Sequence, residues 1–340
     1  MGPPVGRLVT TLRLPQERRR SARRGARLMI ALGGNAIQPA HDGGTWGEAV
    51  AQVRRTAGTL AAVVRPGREL IVTHGNGPQV GILLRGAELA APEVPAPPMH
   101  VLGAETQGQI GYLIAQELSA AFQRARVPRW VLPIISRVEV SLRDPAFRTP
   151  TKPVGRFYSA QEARRLERQL GWTMHEDVQR GGWRRVVASP QPRRWLEGDA
   201  VRAMLDAGLG KRCVPVVTGG GGIPVVRRGS YWEGVDAVID KDRAAALVAS
   251  CLAVDTLAVV TDVPGAALNY QSRHPRWLGR VGLDELTRYW KRGEFADGSM
   301  GPKVEAGIQF LRAGGRTFVI TDVPSLPKAL AGRAGTRVTR

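Results

Sequence analysis

The chain has 340 residues, 43% hydrophobic and 23% charged, which excludes overall disorder and allows about two domains or one large α/β unit. Its 2 cysteines exclude a disulfide framework, and no apolar run approaches the roughly 20 residues of a membrane helix. The net charge is +20, and much of it sits at the start, where residues 1–27 carry eight arginines against Glu17 alone. That head reads as a basic extension outside the fold, disordered or the product of a start codon placed too early, with an organellar presequence as the alternative. Elsewhere the basic residues are interleaved with acids. Neither zinc-finger spacing nor a helix–turn–helix signature appears, so nucleic acid is not expected as a partner.

Past the head, the apolar run 28–32 predicts a strand ending in Gly33-Gly34-Asn35. Residues 45–64 place Val50, Val53, Ala57, Leu60 and Val64 near helical spacing. A second strand, 69–73, runs into His74-Gly75-Asn76-Gly77-Pro78. Residues 90–98 read as a loop, 107–124 as a helix and 129–135 as a strand. Residues 138–195 break the rhythm with Pro145, Pro150, Pro153, Pro190 and Pro192. They are expected to leave the sheet as a small β-containing lobe with a helix at 160–170. The rest alternates again. A helix (197–207) precedes a strand (213–218) that ends in Gly219–Gly222. Then come a helix (240–252), a strand (257–261) ending in Asp262, helices at 283–290 and 303–313, and a strand at 317–321. Unbroken apolar runs suit strands covered on both faces. Alternation of strand and helix predicts a mostly parallel central sheet between two helical layers, with ligands beyond the C-terminal strand ends.

Three strand ends carry glycine-rich turns, around Gly33, Gly75 and Gly219. Such turns let backbone N–H groups approach an anion, although tight βα turns need glycine for shape alone. The standard phosphate loop GxxxxGK[ST] is absent, as is a GxGxxG opening a helix, and Asp262 is followed by Val263-Pro264 rather than Phe-Gly. The chain uses arginine freely but has only 6 lysines and 3 asparagines, which directs attention to the lysines. Lys152 sits in Pro150-Thr-Lys-Pro153, Lys241 between Asp240 and Asp242, and Lys303 in Ser299-Met-Gly-Pro-Lys303. Phosphoryl transfer needs cations of this kind against the transferring oxygens. A solvated loop lysine and a pair of helix-capping aspartates fit the same residues. Asp240 and Asp242 also suit orienting lysines or holding Mg²⁺ through water.

Eight stretches taken together resemble the carbamate kinases, a branch of the amino acid kinase family. They are Ile30-Ala-Leu-Gly-Gly-Asn-Ala-Ile37, Thr73-His-Gly-Asn-Gly-Pro-Gln-Val-Gly81, Thr106-Gln-Gly-Gln-Ile-Gly-Tyr112, Pro150-Thr-Lys-Pro-Val-Gly155, Gly182-Trp-Arg-Arg-Val-Val187, Gly219-Gly-Gly-Gly-Ile-Pro-Val225, Val235-Asp-Ala-Val-Ile-Asp-Lys-Asp242 and Phe295-Ala-Asp-Gly-Ser-Met-Gly-Pro-Lys303. The resemblance implies a three-layer α/β/α sandwich with a small protruding subdomain at about 138–195. It implies reversible phosphoryl transfer between ATP and carbamate, giving ADP and carbamoyl phosphate, run toward ATP in arginine catabolism. It further implies Mg²⁺, a homodimer and a cytoplasmic location, with residues 28–210 holding carbamate and 211–340 holding the nucleotide.

Carried onto this sequence, the resemblance makes Lys152, Lys303 and Asp242 catalytic. Gly33, Gly34, Asn35, Gly75, Asn76, Gly77, Gly219, Gly220 and Gly221 would cradle the small substrate and the transferred group. Lys241, Asp262, Asn269, Tyr270, Met300 and Lys303 would meet the nucleotide. The sequence departs from the family pattern at 178–183, at Ala188-Ser-Pro190 and at 262–269, in the lobe and the nucleoside loop. Rival readings are a kinase of this fold acting on another carboxylate, and a binding protein that kept the cleft without turnover.

Overall fold

The computed structural model describes residues 26–38, 44–91, 93–177, 181–295 and 300–340. Most of the basic head, and the motif segments 178–180 and 296–299, lie outside the described residues. The chain begins with β1 (Arg27–Leu32), α1 (Trp46–Val63), β2 (Glu69–His74), α2 (Gly77–Ala90), α3 (Met99–Arg124) and β3 (Trp130–Pro133). A middle stretch holds β4 (Arg137–Glu139), β5 (Lys152–Tyr158), α4 (Ala160–Leu170), β6 (Thr173–Asp177), β7 (Gly182–Val187), β8 (Arg194–Trp195) and α5 (Gly198–Asp206). Next come β9 (Cys213–Val216), β10 (Ile223–Arg228), β11 (Tyr231–Gly234), α6 (Lys241–Cys251) and β12 (Thr256–Val260). The chain closes with β13 (Ala267–Leu268), β14 (Arg276–Trp277), β15 (Arg280–Gly282), α7 (Leu283–Lys291), α8 (Met300–Arg312), β16 (Thr317–Thr321), α9 (Leu326–Leu330) and β17 (Thr336–Thr339).

Eight strands form the main sheet in the order β15-β17-β16-β12-β1-β2-β9-β3. Within it β16 and β17 run antiparallel, and every other neighbouring pair is parallel. All six residues of β1 are buried. Met29 and Ala31 join the core beneath α6 and α8, whereas Leu28, Ile30 and Leu32 join the core beneath α1 and α3. This period of two, with both sets apolar, makes the architecture three-layered.

The sheet does not divide at residue 210. β9, from the expected nucleotide half, lies between β2 and β3 of the other half. The expected excursion at 138–195 is two things. Its ends, β4 and β8, belong to a four-stranded sheet with β10 and β11, because Val138 and Trp195 are buried in the core. The lobe proper is the antiparallel sheet β5-β7-β6 with α4. It docks on α2, where Val154 and Val187 pack with Val80 and Leu84. Tyr158 Oη donates to Glu88 at 2.6 Å across the same seam.

Two helices differ from expectation. α2 went unpredicted because Gly77, Gly81 and Gly86 dilute its pattern, yet Pro78 suits a first turn that needs no N–H there. α3 starts at Met99, two turns before residue 107, and Asp236 accepts the Met99 N–H at 3.0 Å from across the chain.

Arg27 corrects the boundary of the basic head, for it is the first residue of β1 and its side chain is 1% exposed. Nε donates to Glu69 at 2.7 Å, Nη2 to Asp206 at 2.6 Å and Nη1 to the Leu252 carbonyl at 2.6 Å. The planar fork thus ties β1 to β2, α5 and the end of α6. Arg27→Ala leaves the buried Glu69 without its cation and should cost about 3–5 kcal/mol. Urea unfolding checks this; a loss below about 1 kcal/mol would assign Arg27 to the surface charge instead.

Candidate active site

The glycine turns converge beyond the C-terminal ends of β1, β2 and β9. Gly33 donates to the Val260 carbonyl at 2.8 Å, and a Cβ there would press on that same oxygen. Gly75 donates to the Leu32 carbonyl at 2.9 Å, which fixes the second turn beside the first. After β9 the backbone is left-handed at Thr218 (φ 47°), Gly220 (65°), Gly221 (100°) and Gly222 (88°). A β-branched threonine is strained there. Ser136 Oγ accepts the Thr218 N–H at 2.9 Å, and the Thr73 and Thr218 hydroxyls lie 3.2 Å apart. A side chain at Gly220 would strike Asn76, whose amide donates to Thr106 Oγ1 at 2.8 Å.

His74 lies beneath these turns, fully buried against Gly219, with Nδ1 2.9 Å from the Gly75 carbonyl. Burial pushes its pKa down to about 4. The ring is therefore neutral, with Nδ1–H donating to Gly75.

The charged groups gather at the start of α6. Asp240 caps that helix, its Oδ1 accepting the N–H of Asp242 at 2.9 Å and of Arg243 at 3.4 Å. Its Oδ2 accepts from Lys152 Nζ, brought in at the start of β5, at 2.8 Å. Asp242 is 2% exposed. It accepts from Lys241 Nζ at 2.5 Å through Oδ1 and from Lys303 Nζ, on the first turn of α8, at 3.3 Å through Oδ2. Burial alone would raise the Asp240 carboxyl, but Lys152 and Lys241, with the Asp242 amide, hold it well below the usual carboxylate range. Burial pushes the Lys241 ammonium down and the charge of Lys303 adds to that, while Asp242 opposes both.

These groups wall a cavity of about 260 Å³ with Gly34, Gly75, Asn76, Gly77, Pro78, Gly220 and Arg184. Backbone turns face it from one side and ammonium groups from the other. Among the described residues four cations and two carboxylates line it, which suits a compact anion. Among the described residues, no three acid, histidine or cysteine side chains gather to hold a metal ion.

The structure brings together Gly34, Gly75, Asn76, Gly77, Lys152, Gly220, Lys241, Asp242 and Lys303 from the expected set. Gly33, Asn35, Gly219 and Gly221 support the turns from behind; the Asn35 carbonyl, for example, accepts from Gln52 at 2.8 Å. Asp262, Asn269, Tyr270 and Met300 are outside the cavity wall. Asp262 follows β12 and accepts from the Thr261 hydroxyl at 2.8 Å. Asn269 takes φ 51°, and Tyr270 meets Trp277 edge-on at 6.1 Å between β13 and β14. Met300 opens α8 and packs on the core. Sequence reasoning missed Arg184, one arginine among many, and His74, which read as part of the glycine turn.

A profile of the amino acid kinase family matches residues 26–322. The chain is 42% identical to a carbamate kinase of Pyrococcus horikoshii and 44% identical to one of Thermococcus kodakarensis, covering 92% of this chain and 99% of each relative. Its fold matches carbamate kinase from Giardia lamblia bound to AMP-PNP with a TM-score of 0.83 and 39% identity, over 93% of this chain and 98% of that one.

The buried imidazole makes stability pH-dependent. Between about 4 and the ordinary 6.5, the unfolded chain binds a proton that folded His74 refuses. The contribution is whole above pH 6.5 and is lost as pH falls toward 4, by about 3 kcal/mol. Urea melts across that window should show the fall, and His74→Gln should flatten it; an equal slope in both proteins would acquit His74.

Proposed function

The chain belongs to the amino acid kinase family, in its carbamate kinase branch, and we propose that the cavity at the start of α6 is where its phosphoryl group changes hands. The reaction is reversible phosphoryl transfer between ATP and carbamate, giving ADP and carbamoyl phosphate. One observation carries the assignment of the site: three lysines from three separate elements meet on two buried carboxylates beside glycine turns.

In the forward direction a carbamate oxygen bonds to the γ-phosphorus while the bond from that phosphorus to the β–γ bridging oxygen breaks, its electrons leaving on ADP. Carbamate already presents an anionic oxygen, so no general base is needed. Charge on the transferring oxygens is met by Lys152 from the lobe and by Lys241 and Lys303 from the body. Asp242 holds the latter two in place. Backbone amides at Gly34 and the start of α2 would face the same anion, while Gly33, Asn35, Gly75, Gly219, Gly220 and Gly221 shape the turns.

Residues 28–210 supply the carbamate side of the cleft and 211–340 the nucleotide side, except that β9 is structurally part of the former. Asp262 after β12, Asn269 and Tyr270 after β13 and Met300, three residues before Lys303 on α8, would hold the nucleoside beyond the cavity. A Mg²⁺ ion would arrive on the nucleotide and be held by its phosphates, since the oxygens of Asp240 and Asp242 are already taken by lysine ammonium groups and the first amides of α6. Such an ion neutralises phosphate charge when bound.

We assign the chain to the cytoplasm, where ATP and ADP are found; no helix among the described residues is long and apolar enough to cross a membrane. The direction proposed is toward ATP in arginine catabolism, since the mixed anhydride of carbamoyl phosphate is a strong phosphoryl donor. A homodimer is proposed through α3 and the edge strand β3. Trp130 is 66% and Tyr112 57% exposed there, with Leu132 and Ile135 beside them. An uncovered apolar edge of this kind invites a second copy.

ADP phosphorylation with carbamoyl phosphate, set against ATP with acetylglutamate, aspartate or UMP, tests the substrate; turnover only with another acceptor would overturn it. Lys152→Ala should lower kcat roughly 10²–10⁴-fold, about 3–5 kcal/mol, with ADP affinity changed less than about tenfold. Lys152→Arg should rescue only in part, because a planar fork replaces a compact ammonium. Lys303→Ala should weaken ADP binding as well as turnover. Near-normal kcat in Lys152→Ala would remove the lobe from the reaction. For the assembly, Leu132→Glu should yield monomers in sedimentation; an unchanged dimer would put the interface elsewhere.

A further inference from the structure

Asp240 has two separate tasks on its two oxygens. Oδ1 is committed to the first N–H groups of α6, which pins the carboxylate to the helix. Oδ2 holds Lys152 Nζ at 2.8 Å across 88 positions of sequence. The Lys152 side chain is 32% exposed, against 16% for Lys241 and 14% for Lys303. A long, half-open lysine has many rotamers, and ordering it costs up to about 2 kcal/mol of entropy. A fixed carboxylate takes one of its three N–H donors and leaves two to point elsewhere. α6 also carries Lys241 and Asp242, so the pair refers the lobe's cation to the same turn of helix as the others.

We propose that Asp240 is a positioning residue for phosphoryl transfer: it holds the Lys152 ammonium at a fixed point in the cleft before the substrate arrives. This rests on the reading of Lys152 given above. Its action is through Lys152, with no contact to the reacting atoms required.

Asp240→Asn separates the two tasks. Asparagine caps a helix as well as aspartate, so its Oδ1 keeps the N–H groups of α6. Its amide, in place of Oδ2, cannot accept from an ammonium and pushes it away. A purely structural role predicts wild-type kinetics. Positioning predicts a kcat for ATP formation roughly 10–100-fold lower, since a displacement near 1 Å costs about that much. KM for carbamoyl phosphate should stay the same or fall, because an acid has left an anion site. In a Lys152→Ala background, Asp240→Asn should cost less than about threefold more, as expected when one residue acts through the other. Asp240→Ser, which also caps, repeats the test if the asparagine variant melts early.

Wild-type or raised kcat in Asp240→Asn, with Lys152→Ala strongly impaired, would overturn the proposal and leave Asp240 a cap or a latch. Effects that multiply in the double variant would overturn it too. Normal kcat in Lys152→Ala would instead fail the underlying reading of the site, and the proposal with it.

Discussion

Two buried carboxylates at the first turn of α6 hold three ammonium groups in one small cavity. Like charges about 4 Å apart repel by about 4 kcal/mol at an effective dielectric of 20. Such a cluster persists only if each ammonium is held by something stiffer than its own stem. Asp242 supplies that for Lys241 and Lys303, and Asp240 for Lys152. The carboxylates are in turn held by α6, which packs on α8 and lies over the buried faces of β1 and β12. The depth of the three-layer core is thus what keeps the first turn of α6 in place.

The strands around this point were legible because strands buried on both faces leave long apolar runs, and those runs end where the cleft begins. The scarcity of lysine pointed to Lys152, Lys241 and Lys303 before any distance was known. Contacts between distant segments were not legible. The Lys152–Asp240 pair is formed by folding alone, and in the sequence Asp240 reads equally well as a helix cap. α2 and the first turns of α3 were hidden by their glycines. Both are held by tertiary packing, which outweighs a propensity cost of about 1 kcal/mol per glycine. The lobe was overextended because its prolines spread past the strands that return Val138 and Trp195 to the core. Arg27 was lost in a run of surface-like arginines, since composition cannot show which arginine has a buried partner.

Local strain collects at the cleft. Thr218 holds a left-handed backbone just before three glycines that hold it more easily, and Ser136 and Thr73 fix it there. His74 stays neutral beneath the same turn. A neutral ring adds no charge to a cavity wall whose charge already comes from lysines, and it supplies a rigid platform for Gly75 and Gly219. Rigidity at this point has a chemical use. Backbone donors that do not reorganise as charge develops stabilise an anion more than mobile ones do.

The two ends of the sheet treat buried charge in opposite ways. At the N-terminal end of β1, Arg27 meets Glu69, Asp206 and the Leu252 carbonyl. Each guanidinium nitrogen has an acceptor, and nothing further is required of the group. At the C-terminal end four cations and two carboxylates gather among the described residues of the cavity wall. Cations crowded into one cleft repel one another, and the resting protein carries that cost. An anion that enters relieves that repulsion, and the relief becomes binding energy directed at the phosphoryl oxygens. Repulsion among cations left for a ligand to relieve at one end, set against a closed hydrogen-bond network at the other, is the physical difference between a site and a staple.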